Sequence, residues 1–230
     1  MRKALIRLGY VLIGAVCLYV FLFPQYTHRF RLSFRVEVDG VPKEGSAVIT
    51  VIDQNIKWLP LAQQDWKRTV KGPSPWVDLG DNGMLLAAIK ANTASKPKYE
   101  PVPFHAGSLS FVAFFNAKHH DIKYADETIK KIRTLSGRRE LTLDQLPQFI
   151  WLRDRSSPLS AQLVPPQKFP EVIGSGVRFV GAAVELTSDR PDGSLYAQLP
   201  WLREMARSEY VHGPTWSPTY KLDALDIVGD

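Results

Sequence analysis

Hydrophobic and polar positions along this chain change rhythm once, abruptly, near residue 24. Leu8–Phe23 holds no charged residue; counted from Ala4, with Arg7 reaching outward along its aliphatic stem, the apolar run covers residues 4–23. At about 1.5 Å per residue that run makes a helix roughly 30 Å long, the thickness of a bilayer's hydrocarbon layer. It lacks the polar outer face of a core helix in a globular domain. From Arg29 to Val38 the pattern then alternates without a break. Phe30, Leu32, Phe34, Val36 and Val38 lie on one side, and Arg29, Arg31, Ser33, Arg35 and Glu37 on the other. A period of two predicts a half-buried β-strand.

Further along, "DGVPKEG" reads as a turn and "SAVITVID" as a partner strand, more apolar and so more central. "WVDLGDNGMLLAAI" predicts a second hairpin around its Asp-Asn-Gly tip, and "GSLSFVAFF" and "QFIWLRD" further strands. "GVRFVGAAVELT" is apolar on both parities, which predicts a strand covered on both faces. Helix is scarcer. "YADETIKKIRTLSG" places Ala125, Ile129 and Ile132 on one face, Asp126 and Glu127 in the first turn and Gly137 as terminator. "TLDQ" fits a capping box, "LPWLREMARSEY" a short helix, and "ANTASKPKYEP" a long exposed loop. The expected architecture is α+β: a single β-rich, mainly antiparallel domain over residues 26–230 with one or two short helices and an irregular tail from about residue 203. A single transmembrane helix within residues 1–25 precedes it.

Signal-peptide cleavage requires small residues just beyond the apolar stretch, and "FLFPQYTHRF" offers none. Cys17 is no lipidation site either, because Val16 precedes it and six more apolar residues follow. The expectation is an uncleaved signal anchor. Arg2, Lys3 and Arg7 on one flank nearly balance Arg29, Arg31 and Arg35 on the other. Long C-terminal domains cross largely regardless of such charges, so the domain is expected on the outer, periplasmic side of a cytoplasmic membrane.

The chain's 230 residues, 45% hydrophobic and 23% charged, exclude extended disorder. With a single cysteine the chain has no internal disulfide. A net charge of +6 favours anionic surroundings, although the basic residues are dispersed and their densest runs, "WKRTVK" and "SGRRE", are short.

No motif assigns a chemistry. "HHD" (His119–Asp121) lacks partners at metal-ligand spacing, with His28, His105 and His212 scattered. "VIGSGVRF" is neither a nucleophile elbow nor a phosphate loop, and reads as a turn before a strand. "KWLPLAQQDWKRTVKG" interleaves Trp58 and Trp66 with Lys57, Lys67, Arg68 and Lys71, a mixture that docks on membrane interfaces or stacks nucleobases, and more often packs its tryptophans inward with the lysines in water. The arginines Arg29, Arg31 and Arg35 lie within a few residues of the bilayer, where anionic lipid attracts each by about 1 kcal/mol. Arg29, Arg31, Arg35, Trp58, Trp66, Lys67 and Arg68 are therefore the candidate surface for an anionic lipid or an envelope protein. No cofactor, metal or small-molecule substrate is indicated, and the anchor argues against nucleic acid. The leading reading is a non-enzymatic, membrane-anchored binding domain of the cell envelope. The alternative is a tethered hydrolase using His105 or His119–Asp121.

"GSAVITV" after a basic–apolar strand, "WVDLGDNGMLLAAI", "LPQFIWLRD…SPLSAQLVPP", "GVRFVGAAVELT" and the closing "LPWL" together resemble a family of uncharacterised bacterial proteins that also begin with a membrane-spanning segment. The resemblance covers about residues 30–202. It implies the same layout of strands and turns and carries no site residue.

Overall fold

β1 (Gln25–Val38) and β2 (Val41–Asn55) form one long antiparallel hairpin closed by Asp39 and Gly40 alone. Both turn residues have positive φ, 51° and 81°, the primed turn whose twist matches the flanking strands. The turn is thus shorter than the "DGVPKEG" reading, and Pro42 stands inside β2 opposite Glu37. Pro42 is tolerated because β3 (Trp66–Lys71) pairs only with residues 50–55 of β2, leaving that edge open further along. These residues belong to a computed structural model, which describes residues 9–10, 12–14, 23–58, 66–89, 106–115, 126–192 and 194–204.

The five-stranded sheet runs β3-β2-β1-β9-β6, with β9 (Val177–Leu186) and β6 (Gly137–Glu140). A second, four-stranded sheet runs β4-β5-β7-β8: Trp76–Asp78, Met84–Ala87, Phe149–Leu152 and Ala161–Leu163. Every pairing is antiparallel. The hairpin expected at "WVDLGDNGMLLAAI" is β4–β5, its tip a 3-10 turn at Gly80–Asn82. The two sheets converge at Gly45, where a Cβ would collide with the Trp76 carbonyl.

Between the sheets lie Phe30, Leu32, Phe34, Val36 and Ile49 from one side and Leu85, Ala87 and Phe149 from the other. Phe34 meets Phe149 edge-on at 5.2 Å between ring centres, and Phe149 meets Phe169 at 5.6 Å. Such pairs contribute about 0.5–1.5 kcal/mol beyond the area they bury. The outer side of the small sheet is also covered: Met84, Leu86, Ile150 and Leu152 pack against Leu195, Leu199 and Leu202. That double covering accounts for the unbroken apolar run of β5.

β9 earns its mixed parity differently. Arg35 pairs with Gly181 and Val36 with Phe179, so Val180 is an extra, bulged residue, 53% exposed. Val177 and Phe179 face the core before the bulge; Ala182 and Val184 face it afterwards. A bulge shifts the two-residue period by one. The strand is therefore buried mainly on one face, with Ala183 alone fully covered on the other.

Among the described residues α1 (Ala106–Phe115), α2 (Asp126–Ile132), α3 (Phe169–Val172) and α4 (Ser194–Gln198) are helices, and residues 201–204 are helical too. "GSLSFVAFF", expected as a strand, is α1. Leu109 and Val112 join the central core while Phe111 packs with Trp66, Ile129 and Ile132. A helix buried on opposite sides carries no polar stripe, which erases its 3.6-residue signature. The capping box at Thr142–Gln145 forms as expected, and α2 forms but ends at Ile132, short of the expected terminator Gly137, which opens β6. The Gly-Ser-Gly segment is a turn before β9, tied to the first hairpin by the Asp39 amide donating to the Gly176 carbonyl (2.9 Å). Among the described residues no helix is long and apolar enough to cross a membrane. The expected anchor, residues 4–23, lies outside them except at 9–10, 12–14 and 23. The fold is α+β: antiparallel sheets with a few short helices.

Candidate functional site

The strand end nearest residue 23 gathers polar chemistry of two kinds, one buried and one exposed. Beneath α1, His28 Nε2 and Ser110 Oγ are 2.9 Å apart, both buried. His28 projects from the inner side of β1, like Phe30 and Leu32, and meets Phe111 edge-on at 5.3 Å. Beside it Arg68 Nε donates to Asp53 Oδ1 at 2.6 Å and Arg68 Nη1 to the Gly107 carbonyl at 3.1 Å. The Arg68 guanidinium also lies 4.5 Å from the Phe111 ring centre.

This cluster is structural. Burial, reinforced by the Arg68 and Arg133 charges, lowers the His28 pKa to about 3. A general base works best with a pKa near the ambient pH, so His28 is far too weakly basic to activate Ser110. Ser110 is also wholly buried. Burial raises the Asp53 pKa, opposed by its bond to Arg68.

The seven residues singled out in the sequence divide. Trp66 is buried against Phe111, Ile129 and Tyr26, and Arg68 turns inward to Asp53. Trp58, 64% exposed, carries Lys57 over its ring, and Lys67 is exposed. On the outer sheet face Arg31 pairs with Asp189 at 2.6 Å and Arg35 with Glu140 at 4.0 Å. Arg178 is bonded to Glu37 at 2.5 Å. Arg31 and Arg178 are thus each matched by an acid, while Glu140 is shared between Arg35 and the closer Arg138 at 3.3 Å. Arg29 is the exception, its Nη1 making a long 3.4 Å contact to the Ser188 carbonyl.

Residues that the sequence did not connect complete the exposed set. Pairing of Gln25 with Gln54, and of Gln54 with Lys67, brings the starts of β1 and β3 and the end of β2 to one rim, continued by Lys57 and Trp58. α2 packs alongside, with Lys130 at 5.9 Å and Arg133 at 5.6 Å from the Tyr26 ring centre. Lys57, Lys67, Lys130, Lys131 and Arg133 are exposed, and among the described residues none of them is in an ion pair. The opposite end of the same sheet carries Glu37, Asp39 and Glu44. The rim is positive where the chain leaves the apolar segment, whereas the opposite end sets Lys43 and Arg178 beside its acids.

The rim also holds a cleft. β1 pairs with β9 only from Phe30 onward, so Gln25–Arg29 extend beyond β9 and leave a notch that the turn after α2 closes. The notch encloses about 430 Å³ and is lined by Thr27, Arg29, Arg133, Ser136, Thr187 and Ser188, over an apolar floor of Ile132, Leu135 and Leu186.

Among the described residues no group of three His, Cys, Asp or Glu side chains is placed to hold a metal. His105 and His119–Asp121 lie outside the described residues. The chain matches no family model, no curated protein and no solved structure.

Proposed function

We propose that the protein is a single-pass, membrane-anchored binding domain that seats the positive rim of its large sheet on an anionic surface of the cell envelope. Residues 4–23 supply the span, the domain lies on the outer side of a cytoplasmic membrane, and the rim meets the headgroups. One observation carries the reading: cations from three separate stretches, Lys57, Lys67 and Lys130–Arg133, converge with Tyr26 and Trp58 at the end of the sheet two residues from Phe23. Aromatic rings beside lysine and arginine suit the headgroup layer, and each cation near an anionic surface contributes about 1 kcal/mol. Tyr10, Leu12 and Ile13, helical and more than half exposed, agree with a lipid-facing segment. A layout of spanning segment followed by β-rich domain is also that of the bacterial family the sequence resembles.

The test uses the full chain in nanodiscs of zwitterionic lipid alone or mixed with anionic phosphatidylglycerol. Hydrogen exchange at residues 54–58, 66–68 and 126–133 is expected to slow in the anionic discs and to recover in high salt. A variant with Lys57, Lys67 and Lys130 all replaced by Gln is expected to lose the difference. Equal exchange in both lipids sinks the proposal.

A further inference from the structure

The cleft at the rim carries a more specific assignment. Its polar lining residues are two arginines, Arg29 and Arg133, and four that carry hydroxyls, Thr27, Ser136, Thr187 and Ser188, with no carboxylate among the described lining residues. His28, which also lines it, is held neutral. Two acids flank the lining along the chain: Asp189, engaged by Arg31, and Glu185, which stands opposite Arg31 on β1 and Arg138 on β6. A notch with cationic and hydroxyl donors and no lining carboxylate is complementary to a phosphate group: arginine grips it through paired N–H donors, and hydroxyls rotate to meet the remaining oxygens.

Arg29 adds an independent sign. Its Nε is buried with no hydrogen-bond partner, and its Nη1 is held only at 3.4 Å. A buried donor left unsatisfied costs about 1–3 kcal/mol, so the Arg29 guanidinium gains by turning its donors to an anion in the cleft. The negative end of α2 does not oppose this. Its last carbonyls are occupied, Lys131 O by the Thr134 amide and hydroxyl and Ile132 O by the Leu135 amide. The apolar floor suits the glycerol and first acyl carbons of a lipid, and the notch opens beside the start of β1, two residues from Phe23.

We infer that this cleft binds the phosphate of an anionic ligand, with an anionic phospholipid headgroup and free phosphate as its two sources. The inference deepens the surface-docking reading and rests on it only for the lipid source. Thermal unfolding of the full chain in neutral detergent is followed with inorganic phosphate, with short-chain phosphatidylglycerol and with sodium chloride of equal ionic strength. A ligand at a hundredfold excess over its dissociation constant is expected to raise the midpoint by about 5 °C or more. Arg29→Gln with Arg133→Gln abolishes the rise; should that pair fail to fold, the exposed Arg133→Gln alone is expected to weaken binding about tenfold.

Phosphatidylglycerol acting where inorganic phosphate does not, or acting at much lower concentration, assigns the headgroup. Inorganic phosphate acting equally well assigns a free phosphate. No rise with either ligand, or an undiminished rise in the arginine variants, overturns the cleft. If the cleft fails while the triple lysine variant still abolishes the nanodisc response, surface docking survives without it. If the nanodisc response is absent while phosphate binds, the cleft survives without docking.

Discussion

His28 shows at the scale of one residue how burial selects a charge state. The ring sits among Phe111, Phe30 and the Ser110 hydroxyl, and Arg68 and Arg133 repel a second proton. In the unfolded chain the same ring takes up a proton near its ordinary value of 6.5, in the fold only near about 3. Its contribution is therefore complete above pH 6.5 and is lost as the pH falls toward 3, because the unfolded state binds the extra proton. The loss amounts to about 2 kcal/mol at about pH 5. Urea midpoints are expected to fall between pH 7 and 5 in the native chain. In a His28→Gln variant they are expected to stay nearly level over that interval. Parallel curves for the two chains would refute the assignment. The histidine was visible in the sequence as one of five. Its partner was not, since Ser110 lies in a segment whose helical periodicity is erased by burial on two sides.

Elements divide by how much their environment repeats along the chain. β1 was legible because its sheet has one dry and one wet face over its whole length. β5 looked continuous because the Leu195, Leu199 and Leu202 side chains cover its far side. That covering is expected to matter energetically: Leu199→Ala removes a fully buried side chain and costs about 2–5 kcal/mol. Leu143→Ala, at a residue 61% exposed, is expected to change stability by about 0.5 kcal/mol or less. Denaturant titration of both variants checks the contrast. β9 misled because one bulged valine moves the inward parity from odd to even positions, a change no single window reveals. β3 and β6 were hidden by their charges: "WKRTVK" and "GRRE" are flanking strands at the two edges of the large sheet, where polar side chains are the rule. The site was legible only as a composition. Lys57, Trp58 and Lys67 stood out, but α2's contribution depends on packing against Tyr26, which no local pattern encodes.

For the whole molecule, the sequence distances bridged by each pairing set the order of assembly. β1 and β2 pair through adjacent chain, whereas β9 must return from the far end to complete the large sheet. Local pairing forms before distant pairing because closing a long loop costs more entropy. Pulse-labelled hydrogen exchange during refolding is expected to protect β1 and β2 amides before those of β9 and β6. Simultaneous protection would contradict it.

The two-residue turn has a consequence for the protein while it is still being made. With so short a loop the first hairpin can close as soon as Asn55 is available. Phe30, Leu32, Phe34 and Val36 then stand uncovered until the second sheet has been translated. Between residues 55 and 149 the nascent chain displays an uncovered apolar sheet face, so a chain truncated in that interval is an adhesive fragment.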